Sequence, residues 1–284
     1  MKKLFLFLLT CIVLQAKPVI SVSIAPQAFF VKKIAGQSVI INTILPQNTD
    51  EHNFEFKPST MKELEKSDIY FTIGLEYEKS YLNKIRQNFP KLKIIDTQEN
   101  ISLLEFEEYD ENTHEEEHHE EHSVLDIHTW LDPVLVKIQA QNIYNALTKE
   151  YPHNKTMYQE NLNTFLNELD HLDAKIKSKF NNKKEKEFIV YHPSWAYFAK
   201  RYGLVQIPVE INGTEPKIKE LQKLIQKAKA KNIKIIFVQP GFPEDASKVL
   251  AKEIDANIVS INHLSEDWHN ELLKTADALE KSLK

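Results

Sequence analysis

The chain has 284 residues, 42% hydrophobic and 27% charged, enough to bury a core without disulfide staples. Its net charge of −5 hides a local feature: residues 105–122 hold ten Asp or Glu and no Lys or Arg, against 36 basic and 31 acidic side chains elsewhere. No basic patch with interleaved aromatics occurs, which argues against a nucleic-acid partner. The lone cysteine, Cys11, leaves no disulfide to form.

From the N-terminus, Lys2 and Lys3 precede an apolar run from Leu4 to Leu14 that Ala16 closes. This is the order of a secretory signal, with cleavage expected after Ala16. Lipid attachment at Cys11 is the weaker alternative, because Thr10 stands where a small residue is usual. If Cys11 leaves with the signal, any metal must be held by His, carboxylate or water. Residues 19–26 read as a β-branched strand ended by Pro26, and residues 27–35 as a short helix stopped by Gly36. Residues 39–45 form a second strand, closed by Pro46 and followed by the polar loop 47–54. Ser59 is expected to cap the next helix. Strand 68–74, helix 75–89 and strand 92–96 complete an alternation that suits a parallel sheet.

Residues 105–122 break this pattern. They have little to bury and repel themselves, which predicts a mobile loop. Within them His114-Glu115-Glu116-Glu117-His118 formally matches H-E-x-x-H. The match is rejected as a catalytic helix, because acidic flanks leave it no apolar face. His114, His118, His119 and His122 remain candidates for loose, accessory metal capture. Beyond the tract, residues 134–180 read as helical with a break at Tyr151-Pro152. Tyr158, Leu162, Phe165, Leu169, Leu172 and Ile176 step by four and three onto one face of a long helix. A second alternating set follows: strands 187–191, 205–209, 233–238 and 257–261, and helices 194–202, 218–231, 244–254 and from about 265 to the end.

Ligands in parallel α/β sheets sit beyond the carboxyl ends of strands. Three histidines fall at such positions: His52, His128 and His192. Singly, each reads most simply as a loop histidine. Together they suit zinc, and three imidazoles leave a fourth position for a carboxylate or water. No nucleophile elbow, phosphate loop or dinucleotide fingerprint is present.

Four passages then carry a family resemblance: Leu45-Pro46 with Glu51-His52 and Lys57-Pro58-Ser59; residues 126–133, Asp-Ile-His-Thr-Trp-Leu-Asp-Pro; residues 190–198, Val-Tyr-His-Pro-Ser-Trp-Ala-Tyr-Phe, with Arg201-Tyr202-Gly203-Leu204; and Glu215-Pro216 before a helix. With these the chain resembles the periplasmic metal-binding proteins of zinc- and manganese-type ABC importers. The resemblance implies an α/β fold of two lobes with parallel β-sheets flanked by helices, joined by one long α-helix, with metal in the interlobe cleft. After the signal peptide read at 1–16, the expected divisions are an N-terminal lobe at 17–133, linking helices at 134–185 and a C-terminal lobe at 186–284. The implied partners are an inner-membrane permease and its ATPase; the chain itself is expected to be a monomer and not an enzyme. His52, His128 and His192 are the implied ligands, and Zn²⁺ the implied cargo, since the manganese branch commonly has a carboxylate where this chain has His192.

One departure stands out. Many family members carry an Asp after the final strand, where this chain has Asn262. The fourth ligand is therefore open among Glu51, Asn262, His263 and water. Strand alternation would turn the His263 side chain away from the site. The alternatives to a zinc-delivery protein are a manganese or iron binder on the same fold and, from another class, a secreted zinc hydrolase with Glu51 as base.

Overall fold

A computed structural model describes residues 16–105, 125–211 and 213–283. Cys11 and most of the signal stretch, with His114, His118, His119 and His122, lie outside the described residues.

The first lobe is built on four parallel strands, β1 (Val19–Val22), β2 (Ile40–Thr43), β3 (Ile69–Thr72) and β4 (Lys93–Asp96), in the order β2-β1-β3-β4. The central strands β1 and β3 are buried on both faces, as in a sheet covered by helices. Between them run α1 (Ala25–Ala35), α2 (Pro58–Glu65) and α3 (Glu76–Asn88). A short antiparallel pair follows, β5 (Leu104–Glu105) with β6 (Leu125–Asp126), which pairs Leu104 with Asp126 and Glu105 with Leu125. A 3-10 turn at Thr129–Leu131 leads into α4 (Pro133–Glu150), and a second at Pro152–Asn154 separates α4 from α5 (Lys155–Phe180).

The second lobe repeats the plan. Its strands β7 (Glu187–Val190), β8 (Val205–Pro208), β9 (Ile235–Val238) and β10 (Asn257–Ser260) run parallel in the order β10-β9-β7-β8. The helices are α6 (Ala196–Tyr202), α7 (Ile218–Ala230), α8 (Asp245–Ile254) and α9 (Trp268–Ser282). Among the described residues no helix is long and apolar enough to cross a membrane.

Two local readings are corrected. Pro26 does not end β1; it lies inside the first turn of α1, where its missing N–H costs nothing. Ser59 is not a cap either, because α2 begins at Pro58 with Lys57 in the extended cap position. The long helix holds as expected. Tyr158, Leu162, Phe165, Leu169, Leu172 and Ile176 are all buried, and α5 packs against α1, α4 and α9. Phe29 and Phe30 from α1, Phe165 from α5 and Trp268 from α9 form one aromatic knot, with ring centroids 5.0–6.2 Å apart. The main core is therefore continuous through both lobes. Two indole bonds add to it: Trp130 Nε1 donates to the His263 carbonyl (2.7 Å), and Trp268 Nε1 donates to the Trp130 carbonyl (2.8 Å).

Candidate metal centre

The carboxyl ends of both sheets open on a common cleft, and each histidine read from the sequence reaches it from a different element. His52 sits on the loop after β2. Asp50 Oδ1 accepts from the His52 backbone N–H at 2.9 Å and from that of Asn53 at 3.3 Å, so an aspartate turn presents Glu51 and His52 together. His128 precedes the 3-10 turn, and one oxygen of Asp126 accepts from its backbone N–H (2.8 Å) and contacts its ring Nδ1 (2.6 Å). Asp132 then caps α4 by accepting from Val134 N, with Pro133 in the first turn, so the segment carrying His128 enters a rigid helix. His192 follows β7. Gln239, just past β9, brackets it, accepting from its N–H (3.2 Å) and donating to its C=O (2.6 Å). The Phe242 ring stacks on its imidazole at 4.5 Å.

The three Nε2 atoms meet. His192 Nε2 is 3.3 Å from both His52 Nε2 and His128 Nε2. Glu51 Oε1 is 3.3 Å from His128 Nε2, 3.7 Å from His192 Nε2 and 4.0 Å from His52 Nε2. A tetrahedral zinc site with bonds of about 2.0–2.1 Å has donor–donor edges of about 3.3–3.4 Å. Three of these five edges match it, and the Glu51 edges to His192 and His52 are wider, at 3.7 and 4.0 Å. Glu51, His128 and His192 are buried, and His52, with 28% of its side chain exposed, faces the way in.

Each imidazole also has a carboxylate at its other nitrogen: Glu76 at 3.2 Å from His52, Asp126 at 2.6 Å from His128 and Glu210 at 3.1 Å from His192. A carboxylate on Nδ1 holds the proton there and leaves the Nε2 lone pair for a cation. Sequence reading gave these three acids no role. Glu210 lies just beyond β8 and Glu76 at the start of α3 beyond β3, so the rule that found the histidines applies to them as well.

The electrostatics are those of a site awaiting positive charge. Burial opposes charge on Glu51, yet the neighbouring histidines, His263 foremost, hold its carboxyl well below the usual range. Burial disfavours the charged form of His128, but Asp126 and Glu51 outweigh it and raise the imidazole to about 9. Burial, with cationic neighbours, holds His192 well below its ordinary value. Burial pushes Glu210 up to about 7. Glu51 Oε1 faces the three Nε2 atoms, and its Oε2 is buried without a hydrogen-bond partner.

The remaining candidates sort differently. Asn262 Oδ1 accepts from Leu264 N (3.0 Å) and so serves its own turn. His263 corrects the alternation reading: its buried ring points into the site, with Nε2 2.6 Å from Glu51 Oε1. β10 ends at Ser260, so by residue 263 the period of two no longer holds.

Two parallel-sheet lobes on a long helix, with a three-histidine, one-carboxylate cluster between them that is buried except at His52, define a metal-binding protein of the substrate-binding class. Residues 20–281 match the model of the family described as ZnuA, zinc-uptake complex component A periplasmic, and the chain belongs to that family, the solute-binding proteins of zinc/manganese-type ABC importers. It is 27% identical over 243 residues to the high-affinity zinc uptake system protein ZnuA of Bacillus subtilis, covering 84% of this chain and 76% of that one. It is 30% identical over 240 residues to the manganese ABC transporter substrate-binding lipoprotein scaA of Streptococcus gordonii, covering 80% and 73%. A ZnuA crystal structure superposes with a TM-score of 0.88 at 36% identity, covering 95% of this chain and all of that one. A zinc-bound deletion mutant of ZnuA gives 0.85, also at 36% identity.

Proposed function

We propose that the protein captures Zn²⁺ in the periplasm with His52, His128, His192 and Glu51 and delivers it to an inner-membrane permease driven by its ATPase. The observation that carries this reading is the convergence of three Nε2 atoms and one carboxylate oxygen, all within 4.8 Å of one another. Nitrogen-rich, four-cornered sites suit zinc, whereas manganese favours oxygen donors and higher coordination. The similarity to the Streptococcus gordonii manganese lipoprotein makes manganese the competing cargo. A hydrolase is disfavoured, because Glu51 fills the fourth corner and leaves neither an open coordination position nor a free base beside it. The acidic tract with His114, His118, His119 and His122 fits an accessory role, raising the local zinc concentration ahead of the cleft.

The reading is tested by deleting the gene and growing cells on chelator-treated medium. Restoration by added zinc and not by manganese is the expected result. Restoration by manganese alone would reassign the cargo.

A further inference from the structure

One buried imidazole at the centre belongs to no corner of the tetrahedron. His263 Nε2 lies 2.6 Å from Glu51 Oε1, while its Nδ1 is buried without a hydrogen-bond partner. An ionised carboxylate only accepts, so Nε2 carries the proton and donates. The donor is held firmly in place. Its own carbonyl accepts from Trp130 across the cleft, and Glu271 Oε1 accepts from the N–H of the preceding Asn262 (2.9 Å). Glu51 Oε1 thus has one lone-pair direction taken by His263, and the same atom faces the three Nε2 atoms. Rotating the carboxylate so that both oxygens met a cation would break this bond and leave a buried N–H unsatisfied.

We propose that His263 is a positioning residue that confines Glu51 to a one-oxygen contact, and so sets the preference of the centre for a four-coordinate cation such as Zn²⁺ over Mn²⁺. This rests on the reading of the cluster as the metal centre. Freed from His263, Glu51 would be able to bind through both oxygens, a five-donor arrangement better suited to the larger, oxygen-preferring ion.

The test compares the wild type with His263→Met, which keeps bulk and removes the donor, and His263→Gln, whose amide N–H reaches a similar point. Each purified full-length protein is loaded with Co²⁺ and its visible absorption recorded; Zn²⁺ and Mn²⁺ affinities are then measured by competition. H263M should bind zinc about 10–100-fold more weakly, show a narrower zinc-to-manganese ratio, and give the weaker Co²⁺ absorption of five-coordination. H263Q should restore all three. An H263M protein with wild-type spectrum and metal ratio overturns the proposal, as does a loss that H263Q does not recover, since that would be a packing effect. If H263M does not fold, X-ray absorption on the zinc-loaded wild type decides: four N/O donors at about 2.0 Å support the role, and a two-oxygen carboxylate overturns it. A wild type that takes up no zinc, or takes it up equally with His128→Ala, would instead defeat the metal-centre reading itself.

Discussion

At the scale of single residues, the centre works through proton placement. In the metal-free protein His128 is raised to about 9 by Asp126 and Glu51 against the effect of burial, so at pH 7 its Nε2 carries a proton. Zinc must displace that proton, whereas Glu51, held well below its usual range, has none to give up. The sign follows: the metal-free state binds more protons, so zinc affinity rises with pH, by about tenfold per unit from His128 alone, and levels off above about 9. Zinc titrations at pH 6, 7 and 8, with proton release read from a pH indicator, should show this slope. An affinity flat across that range would mean that His128 is not a ligand. The histidines were legible in the sequence because each lies in the loop region beyond a strand, His192 within two residues of one and His52 farther along its loop. The carboxylate at the fourth corner was legible only as one of four options. What singles out Glu51 is its convergence with three rings and its bond to His263, 212 positions away, which no local pattern encodes.

At the scale of elements, the loop after β2 carries two corners of the site, and its position depends on the opposite lobe. Gly241, beyond β9, has φ +92°, and a Cβ placed there would come within 2.8 Å of the Asn48 carbonyl oxygen and 2.9 Å of the Thr49 carbonyl carbon. Both atoms are backbone, so neither can swing aside. Gly241→Ala should push residues 48–49 away and displace Glu51 and His52 behind them, lowering zinc affinity at least tenfold while the fold persists. Calorimetry on G241A checks this, and unchanged affinity would show that the loop is not set by that contact. Elements were largely legible in the sequence: every strand of the two parallel sheets was anticipated, to within a few residues at its ends. The misplaced details, Pro26 and Ser59, share one cause. Proline reads both as a strand stop and as a first-turn helix residue, and only the packed partner of the segment decides. The β5–β6 pair was missed because two-residue strands carry no periodicity.

At the scale of the whole molecule, α5 and the core it anchors leave little freedom for lobe closure. The aromatic knot spans α1, α5 and α9, and the Trp130 and Trp268 indoles bond across the cleft floor. Opening the lobes by a wide hinge would break both bonds, each costing about 1–3 kcal/mol when a buried partner is left unpaired. Small-angle scattering of metal-free and zinc-loaded protein should therefore give superimposable curves, and a marked fall in radius of gyration on loading would contradict a rigid frame. In this picture release is a change of the site rather than of the lobes, with the permease displacing the loop that carries Glu51 and His52.

The central claim is that zinc is held by imidazoles from three separate elements and a carboxylate beside one of them. Competitive zinc titration of the wild type against His52→Ala, His128→Ala and His192→Ala tests it most directly. A single tight site in the wild type, weakened at least 100-fold in H128A and H192A and less in the partly exposed H52A, is the predicted result; tight binding of equal strength in all four proteins would contradict it.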